Sequence, residues 1–288
     1  MLNNILIANM HDCSVSFSGP VSRSTICAVV VDCLKHILFC RGQFPLPLDQ
    51  LKNLVKAHEK RTAIEKRILT IDNFPVYYDE PDDGERECQA IALKPTSGEE
   101  RTKQKFIETI IKFDEFFNQL TNILNNEKVS EIVLNLGSNM MNPKELYRIM
   151  MPPECVNSHC SSDYLSFQRC RRQFYHAVMK SNLWEDLNSD SPVPISVLLL
   201  LEPGDSLNEY MEQKRFYALP KCKHRTVRFC NSCVHGGKVL NIKENLHEQS
   251  TSSSSASSSR SPNASKLWVK VRPDLRGFKE QPLFDGMY

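Results

Sequence analysis

The sequence predicts an α+β fold in which central helices pack on one mostly antiparallel sheet. Three observations carry that prediction. Residues 22–41 and 101–126 repeat apolar side chains at three- and four-residue steps, the period of an amphipathic helix. From residue 194 onward the pattern changes to short apolar and β-branched runs separated by turn residues. Helices and one strand come first and a run of strands follows, which favours α+β over alternating α/β.

Each element has its own signal. In SRSTICAVVVDCLKHILFCR (22–41), Ile26, Val29, Val30, Cys33, Leu34, Ile37 and Leu38 make a wide apolar face, and Gly42 supplies the stop. The prolines of QFPLPLDQL force an extended link, after which Leu48 to Lys60 predicts a second helix. Residues 61–100 are weakly patterned, with a short strand candidate at Val76–Tyr78 before an acidic Pro/Gly loop. Phe106, Ile110, Phe113, Phe117, Leu120 and Leu124 then line one stripe of a long helix over 101–126. SEIVLNLG (130–137) predicts a strand. In NPKELY, Asn142 as cap, Pro143 in the first turn and Glu145 as capping-box partner predict another helix start. A further helix is expected over 162–184, with Phe167, Cys170, Phe174 and Val178 on one side. ISVLLLLE has a continuous apolar run and predicts a central strand covered on both faces. KRFYALP, HRTVRFC and KVLNIKE are shorter strand candidates. TSSSSASSSRSPNAS (251–265) is too poor in apolar residues to order itself.

The totals narrow the function classes. The 288 residues, 41 % of them hydrophobic, are enough to bury a sizeable core. A net charge of +2 gives no footprint expected of a nucleic-acid or anionic-membrane binder. No stretch approaches 18 uninterrupted apolar residues. The first residues, MLNNILIANMHD, make a poor signal peptide, so the eleven cysteines are expected in a reducing compartment. The sequon at Asn263 then reads as incidental. With ten glycines and no phosphate loop, HExxH or GxSxG, an enzyme is the weaker class.

Four clusters invite chemistry. Cys222, His224, Cys230, Cys233 and His235 fall within KCKHRTVRFCNSCVHGG, and Cys230 and Cys233 have zinc-knuckle spacing. A small zinc-dependent nucleic-acid or protein-binding module is therefore the alternative reading. The other half of the cluster has unusual spacing, and a plain strand with a Gly-Gly turn accounts for it equally. Cys40 or Cys170 as a nucleophile would need a nearby base, and the sequence points to none, so small core residues are the expectation. Arg169, Arg171 and Arg172, followed by Phe174 and Tyr175, have the composition of a protein-contact hot spot. Periodicity by itself puts Phe174 in the core. EQKRFYALPK sets Lys214, Arg215 and Lys221 around Phe216 and Tyr217, either as a surface strand or as a basic docking segment. Ser261-Pro262 matches a proline-directed phosphorylation site, a common dipeptide.

FSGPVS (17–22), LKHILFCRGQFPLPLDQLK (34–52), LGSNMMNPKELY (136–147), RRQF (171–174), FYALP (216–220) and LWVKVRPDLRGFKE (267–280) together resemble the comet family, in the same order from about residue 17 to 280. That family binds the mitotic arrest-deficient protein Mad-two. The resemblance implies one HORMA-like domain over 1–288: central helices against a sheet, a Ser-rich loop at 249–265, and a C-terminal "safety belt" at 266–280. On that reading the serine tract is a tether inside the domain, and Trp268 faces inward on the closing strand. The resemblance implies an adaptor, not an enzyme, with no cofactor or metal. It would bind closed Mad-two and present it to a AAA+ ATPase of the thyroid-receptor-interactor/Pch-two type. The outcome is disassembly of the mitotic checkpoint complex and checkpoint silencing, in nucleus and cytoplasm and at the spindle or kinetochore in mitosis. Residue by residue, the family's Mad-two-contacting phenylalanine falls on Phe174, beside Arg171 and Arg172. Its polar glutamine near the end of the first helix falls on Cys40, with Gln43 as a possible substitute. Its ATPase-contacting Pro-Lys pair falls on Gln213 and Lys214.

Overall fold

The computed structural model describes residues 11–72, 98–152, 164–181, 191–202, 207–215, 217–220, 224–230, 232–235, 238–241 and 267–279. The strand candidate at 76–78 and the Ser-rich tract fall outside them. The chain divides into two compact units. Within the described residues, one comprises 45–114 and the other 11–44 with 115–279.

The smaller unit contains α2 (Leu48–Asp72) and the first part of α3 (Gly98–Asn126). Phe106, Ile110 and Phe113 are buried, and Lys52 pairs with Asp114. Helix α2 runs twelve residues beyond the Lys60 limit expected from sequence.

The larger unit is built on a seven-stranded sheet in the order β1-β6-β3-β2-β4-β9-β5. These strands are β1 (His11–Ser16), β2 (Val129–Leu136), β3 (Glu145–Met150), β4 (Pro194–Leu201), β5 (Met211–Gln213), β6 (His224–Cys230) and β9 (Leu267–Arg276). A separate hairpin pairs β7 (Ser232–His235) with β8 (Lys238–Asn241). The β1-β6 and β6-β3 pairs are parallel and the other four are antiparallel. The mostly antiparallel α+β expectation therefore holds. Helix α1 (Arg23–Cys40) is capped by the Ser22 side chain, which accepts from Thr25 N–H. All seven apolar positions read from its periodicity are buried. So are Phe117, Leu120 and Leu124 on the later turns of α3. Arg23 donates to the Leu124 and Glu127 carbonyls, satisfying acceptors that the end of α3 leaves open. Helix α4 (Phe167–Lys180) packs on α1 and on β1.

Three elements differ from the sequence expectation. NPKELY starts no helix, because Glu145–Met150 is strand β3. The run is only six residues long before Pro152 and Pro153. Its backbone bonds to β2 on one side and β6 on the other, which outweighs a local capping pattern. Glu145 instead pairs with the buried Arg41, accepts from Tyr147 Oη (2.8 Å) and lies 3.5 Å from Arg225. KRFYALP is not a strand either, since pairing ends with β5. Lys214 N–H donates to Trp268 O (2.8 Å), and Tyr217 N–H then folds back to Lys214 O (3.2 Å). That turn brings the Tyr217 ring edge-on to Trp268, centroids 5.1 Å apart. Both pack on the Val133, Leu146 and Leu198 cluster. Strand β1, absent from the sequence reading, buries Cys13 and Val15 and leaves Asp12 and Ser14 exposed.

The C-terminal strand is held at both ends. Strand β9 lies between β4 and β5. Beyond it, Phe278 N–H donates to Gln43 O (3.0 Å), and Phe278 packs on Phe44 (5.8 Å). A Cβ at Gly277 would stand 2.6 Å from Gln43 O and 2.9 Å from its Cα. Gly277→Ala should therefore lower stability by about 1–3 kcal/mol, the usual cost of overpacking, in denaturant unfolding. An unchanged midpoint would mean that Gln43 and Gly277 are not in contact. A chain ending at residue 265 lacks β9 and should lose cooperative unfolding. A truncated chain that unfolds like the full one would refute a structural role for this segment.

Candidate functional site

Helix α1 places Asp32, His36 and Cys40 at successive four-residue steps, so they share one face. Helix α4 brings Arg171 and Tyr175 against that face. Asp32 Oδ2 accepts from Arg171 Nε (2.8 Å) and from Tyr175 Oη (3.2 Å). The Arg171 guanidinium lies over the Tyr175 ring at 5.5 Å. The His36 imidazole meets the same ring edge-on, centroids 5.0 Å apart, and its Nε2 is 3.5 Å from Cys40 Sγ. All five side chains are half-buried, and Arg172, the next residue along α4 from Arg171, is exposed. Packing of α4 on α1 thus puts Arg171 and Cys40, 131 residues apart in the chain and both expected at a partner contact, at the two ends of one half-buried cluster.

Burial sets the chemistry of the cluster. It pushes the Cys40 thiol above its ordinary range, with nearby Arg41 opposing. It holds His36 below its ordinary 6.5, with Asp32 opposing and Arg171 reinforcing. Burial and the Asp32 charge push the Tyr175 phenol up. Cys40 has a histidine neighbour after all, one that i,i+4 spacing would have revealed. Yet an uncharged imidazole beside a protonated thiol is no activated nucleophile. Cys170 is buried and its thiol is likewise raised. The arrangement suits recognition.

Two residues expected at the contact lie elsewhere. Phe174 is fully buried, its ring 6.1 Å from Phe229 and 5.0 Å from Tyr175, so as a solvent-facing anchor it is corrected. Helical periodicity read it correctly. Gln43 is 1 % exposed, and its polar groups all bond inward. Its N–H donates to Leu38 O (2.9 Å), its Nε2 to Arg41 O (2.9 Å), and its Oε1 accepts from Val193 N–H (2.8 Å). It ties the end of α1 to the C-terminal segment and has no amide to offer a partner.

Gln213 and Lys214 sit at the β5 edge of the sheet. From β6, which lies under α4, that edge is five strand spacings away, about 24 Å along the sheet. Lys214 pairs with Glu212, which also binds Arg272 (2.9 Å). Gln213, Lys214 and Arg215 line an open groove of about 590 Å³ with Met140, Met141 and Tyr217. The proposed zinc set does not come together as a whole. His224 and Cys230 are the two ends of β6, about 20 Å apart, and Cys233 and His235 belong to the separate hairpin. Cys222 lies outside the described residues. Among those described, no three His, Cys, Asp or Glu side chains converge.

The larger unit is thus a mixed α+β fold whose helices α1 and α4 share a half-buried cluster of aspartate, arginine, tyrosine, histidine and cysteine. A family model described as "p31comet: Mad1 and Cdc20-bound-Mad2 binding" matches residues 6–73 and 65–241, and the chain belongs to that family. The human protein named "MAD2L1-binding protein" is 23 % identical over 220 residues, 75 % of this chain and 69 % of that protein. Its mouse counterpart is 23 % identical over 216 residues, 73 % of this chain and 66 % of that protein. The chain spans about two thirds of the length of these relatives.

Two outcomes check the roles assigned here. Phe174→Ala should cost about 3–5 kcal/mol of stability in denaturant unfolding, as for a buried core aromatic. Arg172→Ala, at an exposed site, should change it by less than about 0.5 kcal/mol. His36 is depressed in the folded state, so below about pH 6.5 the unfolded chain takes up its proton first. Stability should therefore fall as pH drops from 7 to about 5, and His36→Gln should flatten part of that slope.

Proposed function

We propose that this chain is a non-enzymatic adaptor. It binds the closed conformer of Mad2 through the α1–α4 face and hands it to a AAA+ ATPase, promoting mitotic checkpoint complex disassembly and checkpoint silencing. The carrying observation is that Arg171 and Cys40 belong to one half-buried α1–α4 cluster, with Arg172 exposed next to Arg171, in a member of a Mad2-binding family. Asp32 orients Arg171 and Tyr175 there, so a partner meets a pre-ordered surface. Phe174 supports that surface from beneath, and Tyr175 and Arg172 make the contact. The fold is read as HORMA-like, with β9 and the residues after it as a closed safety belt. The site of action is the nucleus and cytoplasm, with the spindle or kinetochore in mitosis.

The ATPase contact falls to Gln213, Lys214 and the groove beside them. Their distance from the α1–α4 face leaves room for both partners at once. A partner that binds closed Mad2 stabilises the closed state, so this chain by itself cannot open it. Opening takes work from ATP, and an adaptor without catalytic residues suffices to direct that work.

Capture by immobilised chain should retain Mad2 locked closed and leave Mad2 locked open in solution. Tyr175→Ala with Arg172→Ala should weaken capture by about 2 kcal/mol or more, the scale of an interface hot spot. Equal capture of both conformers, or no loss in the double variant, would refute the site. Lys214→Ala should weaken ATPase binding while leaving Mad2 capture intact. Unchanged ATPase binding would remove the groove from the mechanism.

A further inference from the structure

Helix α1 ends in a closed turn. Gly42, at φ 61°, donates its N–H to Phe39 O (2.9 Å), and Gln43 N–H donates to Leu38 O (2.9 Å). This pair of bonds closes the end of the helix and fixes Gln43 to its last turn. Arg41, buried just before them, is paired with Glu145 on β3. The remaining polar groups of Gln43 reach two distant segments. Its Oε1 accepts from Val193 N–H (2.8 Å), immediately before β4, and its carbonyl accepts from Phe278 N–H (3.0 Å), just after β9. Gly277 N–H points to Val193 O (3.4 Å), so the three segments close a ring of hydrogen bonds. The Phe278 ring packs on Phe44 (5.8 Å), and a Cβ at Gly277 would stand 2.7 Å from Gln43 Oε1. The C-terminal segment is therefore either seated on Gln43 or away from it. The same last turn of α1 carries Cys40, and the turn before it carries His36, which meets Tyr175 of α4.

We infer that residues 277–278 are a strap that couples the C-terminal end to the α1–α4 face. Seated on Gln43, they keep the last turn of α1 closed. Unseating them loosens that turn and weakens whatever partner the face holds. This rests on the reading that the α1–α4 face receives closed Mad2. The cost of the unseated state is physical: Gln43 is 1 % exposed, and its carbonyl would lose its Phe278 partner inside the fold. Relief comes only if the turn opens to water. Gly277 and Phe278 are half-buried and lie beyond the last residue of β9, where local opening begins most easily. A partner that binds the closed turn better than the open one must, in return, hold the strap down.

The test compares the full chain with Phe278→Ala and with a chain ending at residue 276, which keeps all of β9. Circular dichroism checks that each remains folded. Alkylation of Cys40 by iodoacetamide, followed by mass spectrometry of its peptide, should be about tenfold faster in both variants. Calorimetry with closed-locked Mad2 should show affinity lowered about tenfold. In the unmodified full chain, saturating closed-locked Mad2 should slow hydrogen exchange at the Val193 and Phe278 amides by a similar factor. That measurement needs no variant, so a misfolded variant does not decide the matter. Exchange at both amides that ignores bound Mad2 would overturn the coupling. So would a folded shortened chain whose Cys40 alkylation and Mad2 affinity match the full chain. Faster alkylation with unchanged affinity would overturn it too, since turn and face would then be independent, while the Mad2-binding reading stands. If the full chain binds neither conformer, the Mad2 reading fails, and Cys40 alkylation decides whether the strap holds the turn.

Discussion

The stack of Phe17, Phe229 and Phe174 decides what the larger unit can present. Phe17 and Phe229 lie 6.0 Å apart, and Phe174 continues the stack at 6.1 Å. All three rings are buried. They join the end of β1, the strand β6 and the inner face of α4 into one apolar block. A helix seated by one large ring has little rotational freedom, so burying Phe174 fixes which residues point outward. Arg172 and His176 must then face solvent, and Arg171 and Tyr175 must turn towards α1. The make-up of the α1–α4 face follows from core packing.

A second constraint acts through polar groups. Asp32 is the one carboxylate on either helix of the face, and it is committed to Arg171 and Tyr175. Gln43 performs a comparable task at the end of α1, where its amide and backbone hold Val193 and the segment after β9. Buried polar groups of this sort are costly when unpaired and specify geometry when paired. Between them, the two residues set the face on one side and the C-terminal closure on the other. The two candidate contact regions of the sheet, beside β6 and at β5, are thereby kept apart by the central strands.

Much of this was legible in the chain. The buried positions of α1, α3 and α4 appear as three- and four-residue spacings because each helix has a single apolar face. Strand β4 appears as an unbroken apolar run because it lies inside the sheet. Strand β3 was not legible: Asn142, Pro143 and Glu145 mimic a helix start, while the pairing that makes it a strand comes from residues far away in sequence. Likewise Asp32, His36 and Tyr175 have no recognisable motif. Only the packing of α4 on α1 brings Asp32 to Arg171 and Tyr175 and sets His36 against the Tyr175 ring. His224 and Cys230 show the reverse case, since their closeness in sequence is undone by the extended strand β6 that carries them apart.

By itself the sequence determined the α+β class, the main helical cores and the family resemblance, because local period and motif order are properties of the chain alone. Tertiary structure decided the roles of Phe174 and Gln43. A phenylalanine after two arginines reads as an anchor until a second aromatic strand covers it. A glutamine after a helix reads as a surface amide until a later glycine closes on its backbone. Both roles depend on contacts with residues more than fifty positions away, and no local pattern encodes them.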